Sequence, residues 1–70
     1  MEEFSKNFKR IRMEIGISKL KLANELNVAI STVDNWEKGK RLPNIVNLFK
    51  LCEILRCSSD EILGMKLTDK

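Results

Sequence analysis

A chain of 70 residues with net charge +3, 43% of it apolar and 33% charged, has the balance of one small globular domain and not of a disordered segment. No apolar run approaches the roughly 18 residues of a membrane span, and the acidic start Met1-Glu2-Glu3 lacks the basic and apolar regions of a secretion signal, so a cytoplasmic location is expected. With no His and no Tyr, and with only Cys52 and Cys57 to offer thiols, the chain holds the parts of neither a catalytic triad nor a zinc site. No enzyme activity, metal or cofactor is expected, and the two cysteines read as small buried hydrophobes in a reducing compartment.

The apolar pattern predicts five helices with short connections. Over 3–15, Phe4, Phe8, Ile11 and Ile15 make one face, with Lys6, Lys9, Arg10 and Arg12 around the rest. Gly16 supplies a left-handed stop. Ser18 caps a second helix, 18–26, whose inner stripe is Leu22, Ala23 and Leu26; Asn27, which tolerates the left-handed region, ends it. Val28 and Ala29 lead into a third helix over about 30–38, with Val33 and Trp36 facing inward and Gly39 closing it. Leu42-Pro43 interrupts the pattern, because the residue before a proline avoids the α region. Asn44 caps a fourth helix, 45–55, packing through Leu48, Phe49, Leu51, Cys52 and Leu55. Ser58-Ser59-Asp60-Glu61 reads as a capping box for a short fifth helix that Gly64 terminates, and 65–70 reads as a frayed tail.

Charge is spread unevenly over these elements. Residues 1–41 hold nine Lys/Arg against six Asp/Glu, whereas 42–70 hold four of each. A basic region beside a neutral one suits a protein that meets a polyanion on one side.

The second and third helices sit in a dense series of matching residues. These are Gly16 before Ile17-Ser18, Leu22-Ala23, Val28 after the turn, Ser31-Thr32-Val33, and Trp36-Glu37-Lys38-Gly39-Lys40, continued by Pro43, Leu48, Leu51, Leu55, Ser58, Asp60-Glu61 and Leu63-Gly64. On these residues the chain resembles the lambda-repressor and Cro (XRE-like) family of helix-turn-helix transcriptional regulators from about Phe8 to Gly64. The resemblance implies an all-α, compact five-helix domain over 8–64, with 1–7 as the start of helix 1, the motif at about 19–38 and 65–70 as a tail. It implies double-stranded DNA as partner, read sequence-specifically in the major groove by a homodimeric repressor or regulator, in the cytoplasm of a prokaryote or phage host, at the nucleoid. The operator would be a pseudo-palindrome with half-sites roughly 34 Å apart. The region from Arg56 to Leu63, extended by Met65 and Leu67, is the dimer surface the resemblance implies. Neither a membrane nor a small-molecule ligand is expected.

In this family the start of the motif's second helix meets base edges. The matching positions are Ile30, Ser31 and Asn35, with Asp34 beside them. Their chemistry suits base reading, since Asn bonds adenine at two points, Ser donates or accepts, and Ile contacts a thymine methyl. With Trp36 turned inward, Asn35 faces outward, which also suits an ordinary solvated residue. Phosphate contacts are expected from Arg12, Ser18, Lys19, Lys38, Lys40 and Arg41. The last three equally complement the dipole at a helix C-terminus. Lys19 and Lys21 are cations in a first turn, where the dipole disfavours them, and a bound phosphate at Lys19 would reverse that sign. Arg12 and Glu37 match a structural pair that ties the first helix to the recognition helix.

Three residues depart from the family pattern. Ala29 stands where a hydroxyl usually caps the recognition helix, a loss of about 1 kcal/mol. Asn27 stands for Gly in the turn, and Arg56 stands for the Gly that usually ends the fourth helix, where a left-handed Arg carries strain. A protein-interaction module of the same fold, an antitoxin or anti-repressor, is the alternative; apolar Leu20 and Val46, at positions the family leaves polar, favour it.

Overall fold

The computed structural model describes residues 2–65. Within them run α1 (Glu2–Ile15), α2 (Lys19–Leu26), α3 (Ile30–Glu37), α4 (Ile45–Leu55) and α5 (Ser59–Leu63), with no strand among the described residues. The all-α, five-helix architecture expected from the sequence is the one observed.

Local chemistry sets the helix ends. Ser18, Asn44 and Ser58 each lie in extended backbone and accept a hydrogen bond from the N–H three residues on, at 3.0, 2.8 and 3.1 Å. That satisfies one of the four N–H groups a helix start leaves open. Gly16 leaves α1 at φ 84°, the left-handed exit that only glycine takes without strain. Gly64 leaves α5 at φ 73°, and a Cβ there would lie 3.1 Å from the side chains of Asn7 and Glu3 on α1. Asn27 and Arg56 take the same exit at φ 58° and 55°. For Arg56 this costs roughly 1–2 kcal/mol.

The core takes one stripe from each helix. Phe4, Phe8 and Ile11 come from α1, Leu22, Ala23 and Leu26 from α2, Val33 and Trp36 from α3, Leu51 and Leu55 from α4, and Ile62 from α5. Phe4 stacks on Phe8 with ring centroids 5.5 Å apart, and Phe8 meets Trp36 edge-on at 6.3 Å. This aromatic ladder runs from α1 into α3 and fixes the roll of α3 about its axis. With Val33 and Trp36 held inward, Ile30 and Ser31 are left exposed.

Two expected core residues are not in the core. Ile15, in the last turn of α1, is exposed; the chain turns at Gly16 and Ile17 packs on the core in its place. Phe49 is also exposed, because it follows Leu48 by one residue and so lies about 100° around the helix from it. Leu48, Leu51, Cys52 and Leu55 fill the inner stripe of α4, while Phe49 shares the outer face with Ile45 and Val46.

Candidate nucleic-acid interface

α2 and α3 pack against each other across the turn Asn27–Ala29, and α1 supports α3 from behind. The turn is closed by two bonds to the end of α2, from Val28 N–H to the Ala23 carbonyl at 3.0 Å and from Asn27 N–H to the Asn24 carbonyl at 3.2 Å. Ala29 holds extended backbone and offers no side-chain bond to the start of α3. Ile30 and Ser31 open that helix, exposed, with Asp34 and Asn35 one turn on and half-buried. The four positions expected to face bases are therefore contiguous on the side of α3 turned away from Trp36.

Five charged side chains tie α1, α2 and α3 together. Glu37, its side chain 6% exposed, accepts on one oxygen from Arg12 Nε at 3.0 Å, and the same oxygen lies 2.9 Å from Arg12 Nη2. Its other oxygen lies 3.3 Å from Lys19 Nζ. Arg12 Nη1 donates to the Ile17 carbonyl at 2.9 Å. Lys19 Nζ donates to Asp34 Oδ1 at 2.8 Å, and Lys38 Nζ lies 2.9 Å from Asp34 Oδ2. Hydrogen bonds from Lys19 and then Lys38 pull the Asp34 carboxyl down to about 2, against the opposing effect of desolvation. The same bond to Asp34, with a second to Glu37, raises the Lys19 ammonium above its ordinary value.

Arg12 thus meets Glu37 across α1 and α3. Lys19, Lys38 and Arg12, expected on phosphates, each rest on a carboxylate in the free protein, while Lys40 and Arg41 are exposed and have no ion pair among the described residues. Ser18 is exposed, with its hydroxyl engaged in capping α2.

A hollow of about 390 Å³ opens between α3 and the start of α4, lined by Thr32, Asn35, Trp36, Arg41, Leu42, Pro43, Asn44 and Asn47. It joins Asn35 to Arg41, two residues the sequence marks for different roles. Thr32, Asn44 and Asn47 share it and were not marked for DNA. Their sequence signal is slight: Asn44 reads as a cap, and only the fold brings Asn47 and Thr32 to the same wall.

Among the described residues no group of three or more His, Cys, Asp or Glu is placed to hold a metal, and no helix is long and apolar enough to cross a membrane. Cys52 and Cys57 are free thiols, both half-buried, and burial pushes Cys57 up to about 12.

A helix-turn-helix family model matches residues 8–62, the stretch from the middle of α1 into α5. The chain belongs to the XRE-like helix-turn-helix family. Members of this family are DNA-binding transcriptional regulators, and the α2–turn–α3 unit is the element that gives the family its name. The transcriptional repressor RstR of the cryptic phage CTXphi, from Vibrio cholerae serotype O1, is 30% identical over 59 residues, which are 84% of this chain and 53% of RstR. A transcriptional regulator from Listeria innocua, known from its crystal structure, superposes with a TM-score of 0.84 at 30% identity, covering 96% of this chain and 63% of its own. The helix-turn-helix chain therefore spans about half the length of its curated relative.

Proposed function

We propose that this chain binds double-stranded DNA sequence-specifically through α3 in the major groove, as the reading head of a transcriptional repressor. The observation that carries the reading is the outward edge of α3. Ile30, Ser31 and Asn35 lie together there on a helix rolled into place by Trp36, beside a hollow that ends at Arg41. Asn35 is the adenine reader, Ser31 a neutral donor and acceptor, and Ile30 a contact for a thymine methyl. Lys40 and Arg41, without an ion pair among the described residues, supply the phosphate grip, with Ser18 at the start of α2. The protein acts in the cytoplasm, as its relationship to a phage repressor suggests.

The reading further proposes a homodimer on a pseudo-palindrome, paired through the region from Arg56 to Leu63 with exposed Met65 at its margin. Leu67 lies outside the described residues. Selection of sites from random duplex DNA tests the whole reading. A palindromic site is expected, and Asn35→Ala is expected to lose preference at one base pair per half-site at a cost of about 1–3 kcal/mol. A site without two-fold symmetry, bound by a monomer at high concentration, would contradict the dimer.

The interaction-module reading is favoured by one observation: Leu20 on α2 and Val46, Ile45 and Phe49 on α4 are all exposed apolar residues. Single exposed apolar side chains are normal, but three on one helix face form a small patch. DNA binding indifferent to Asn35→Ala would support that reading over the first.

A further inference from the structure

The recognition helix carries a carboxylate where DNA would lie, and both of its oxygens are taken. Asp34 follows Ile30 by one helical turn, so it lies on the same row as a base-facing residue. Lys19 reaches one oxygen from the neighbouring helix at 2.8 Å, and Lys38 reaches the other from the end of α3 at 2.9 Å. Glu37 holds Lys19 from a second side at 3.3 Å and is itself held by Arg12. A bare carboxylate at this position would repel phosphates, and two bare ammonium groups would attract them on any sequence. Paired as they are, Asp34, Lys19 and Lys38 leave a local net charge of only one.

We propose that Asp34 is a specificity-determining positioning residue: it sequesters Lys19 and Lys38 from the DNA backbone and so suppresses non-specific binding, and it reads no base itself. This rests on the DNA-binding reading above. Counterion release makes the idea measurable. Each phosphate neutralised by a cation adds about 0.9 to the slope of log affinity against log salt. Asp34→Asn keeps the shape of the side chain and removes its charge, so it frees Lys38 for phosphates and leaves Lys19 with only its longer contact to Glu37.

The experiment measures binding of the full chain to a short mixed-sequence duplex and to its selected site across a salt series. For Asp34→Asn the slope on mixed-sequence DNA is expected to steepen by about one to two units, one from Lys38 and the rest from Lys19 as far as Glu37 releases it. Its gain in affinity over the parent should shrink about three- to ten-fold between about 50 and about 200 mM salt. Mixed-sequence affinity rises more than site affinity, so the ratio between them falls, while the base preferences of the site stay the same. Asp34→Glu, which keeps a carboxylate within reach of both amines, is expected to restore the parent slope. Lys19→Gln should leave the slope of the parent unchanged and lower that of Asp34→Asn by up to about one unit; a purely structural Lys19 would show no such dependence on Asp34.

A parent slope that drops by one on Lys19→Gln would mean that Lys19 already sits on a phosphate, and would overturn the proposal. So would an unchanged slope in Asp34→Asn, or a change of preferred base at one position in that variant. A parent chain with no salt-dependent affinity for any duplex overturns the DNA-binding reading as well, which distinguishes the two failures. Lys19→Gln in the parent is a test that does not require the Asp34 variant to fold.

Discussion

α2 and α3 have the same length, eight residues each, and pack on one another, yet they are held by different means. α2 is bounded by its own sequence: Ser18 caps it and Asn27 turns the chain out in the left-handed conformation. α3 begins at Ala29 with no side-chain cap, and only its far end has a local stop, with Gly39 leaving at φ 77° and Lys40 N–H bonding the Asn35 carbonyl at 2.9 Å. What makes up for the missing cap comes from elsewhere in the fold, through Trp36 against Phe8 and through Glu37 and Asp34 in their ion pairs with α1 and α2. The difference teaches that a helix can do without a side-chain cap at its start when its neighbours supply the anchor. The end of α3 nearest Ile30 and Ser31 is thereby left clear of capping side chains.

Perturbations should rank accordingly. Glu37→Ala is expected to have the largest effect, about 3 kcal/mol lost in urea unfolding, because it leaves the largely buried Arg12 guanidinium with only the Ile17 carbonyl. A loss below about 1 kcal/mol would put the pair among ordinary surface ion pairs. Ser18→Ala should cost about 1 kcal/mol, the value of one cap, since it leaves the Lys21 N–H without its partner. Ala29→Ser should return about 0.5 kcal/mol by giving α3 the cap it lacks. If instead it costs stability, the extended backbone at Ala29 is not free to accept a hydroxyl.

The smallest effect is in pH. The Asp34 carboxyl lies near about 2 in the folded chain, below its ordinary 3.8. Its contribution is therefore complete above about pH 4 and is lost as pH falls through about 2. The difference in melting temperature between the parent and Asp34→Asn should stay constant from about pH 5 to about pH 8 and fade in that acidic window. The raised Lys19 acts at the other end, its contribution complete below 10.5 and lost as pH rises through its higher folded value.

Element boundaries were legible in the sequence because caps are local. Ser18, Asn44 and Ser58 announce a helix start within three residues, and Gly16 and Gly64 announce a stop. Which apolar residues face inward was less legible at the ends of the pattern. Ile15 and Phe49 each lie next to the buried stripe, and only the position of neighbouring helices decides against them. The charged cluster was legible in part. Arg12 and Glu37, 25 residues apart, are reached through the family resemblance. Lys19 and Asp34, 15 residues apart, are not. Read singly, each points to DNA, one as a phosphate contact and one as a base reader; their pairing depends on the angle at which the start of α2 meets α3.

Arg12 bridges three segments at once: it stands on α1, bonds the carbonyl of Ile17 in the connection to α2, and bonds Glu37 on α3. A single planar cation thus helps to set the pose of the motif before any partner arrives. Association on such a rigid head loses little conformational freedom at the contact surface. Recognition should accordingly proceed as the docking of a finished shape, with encounter and release governed by how the two surfaces fit.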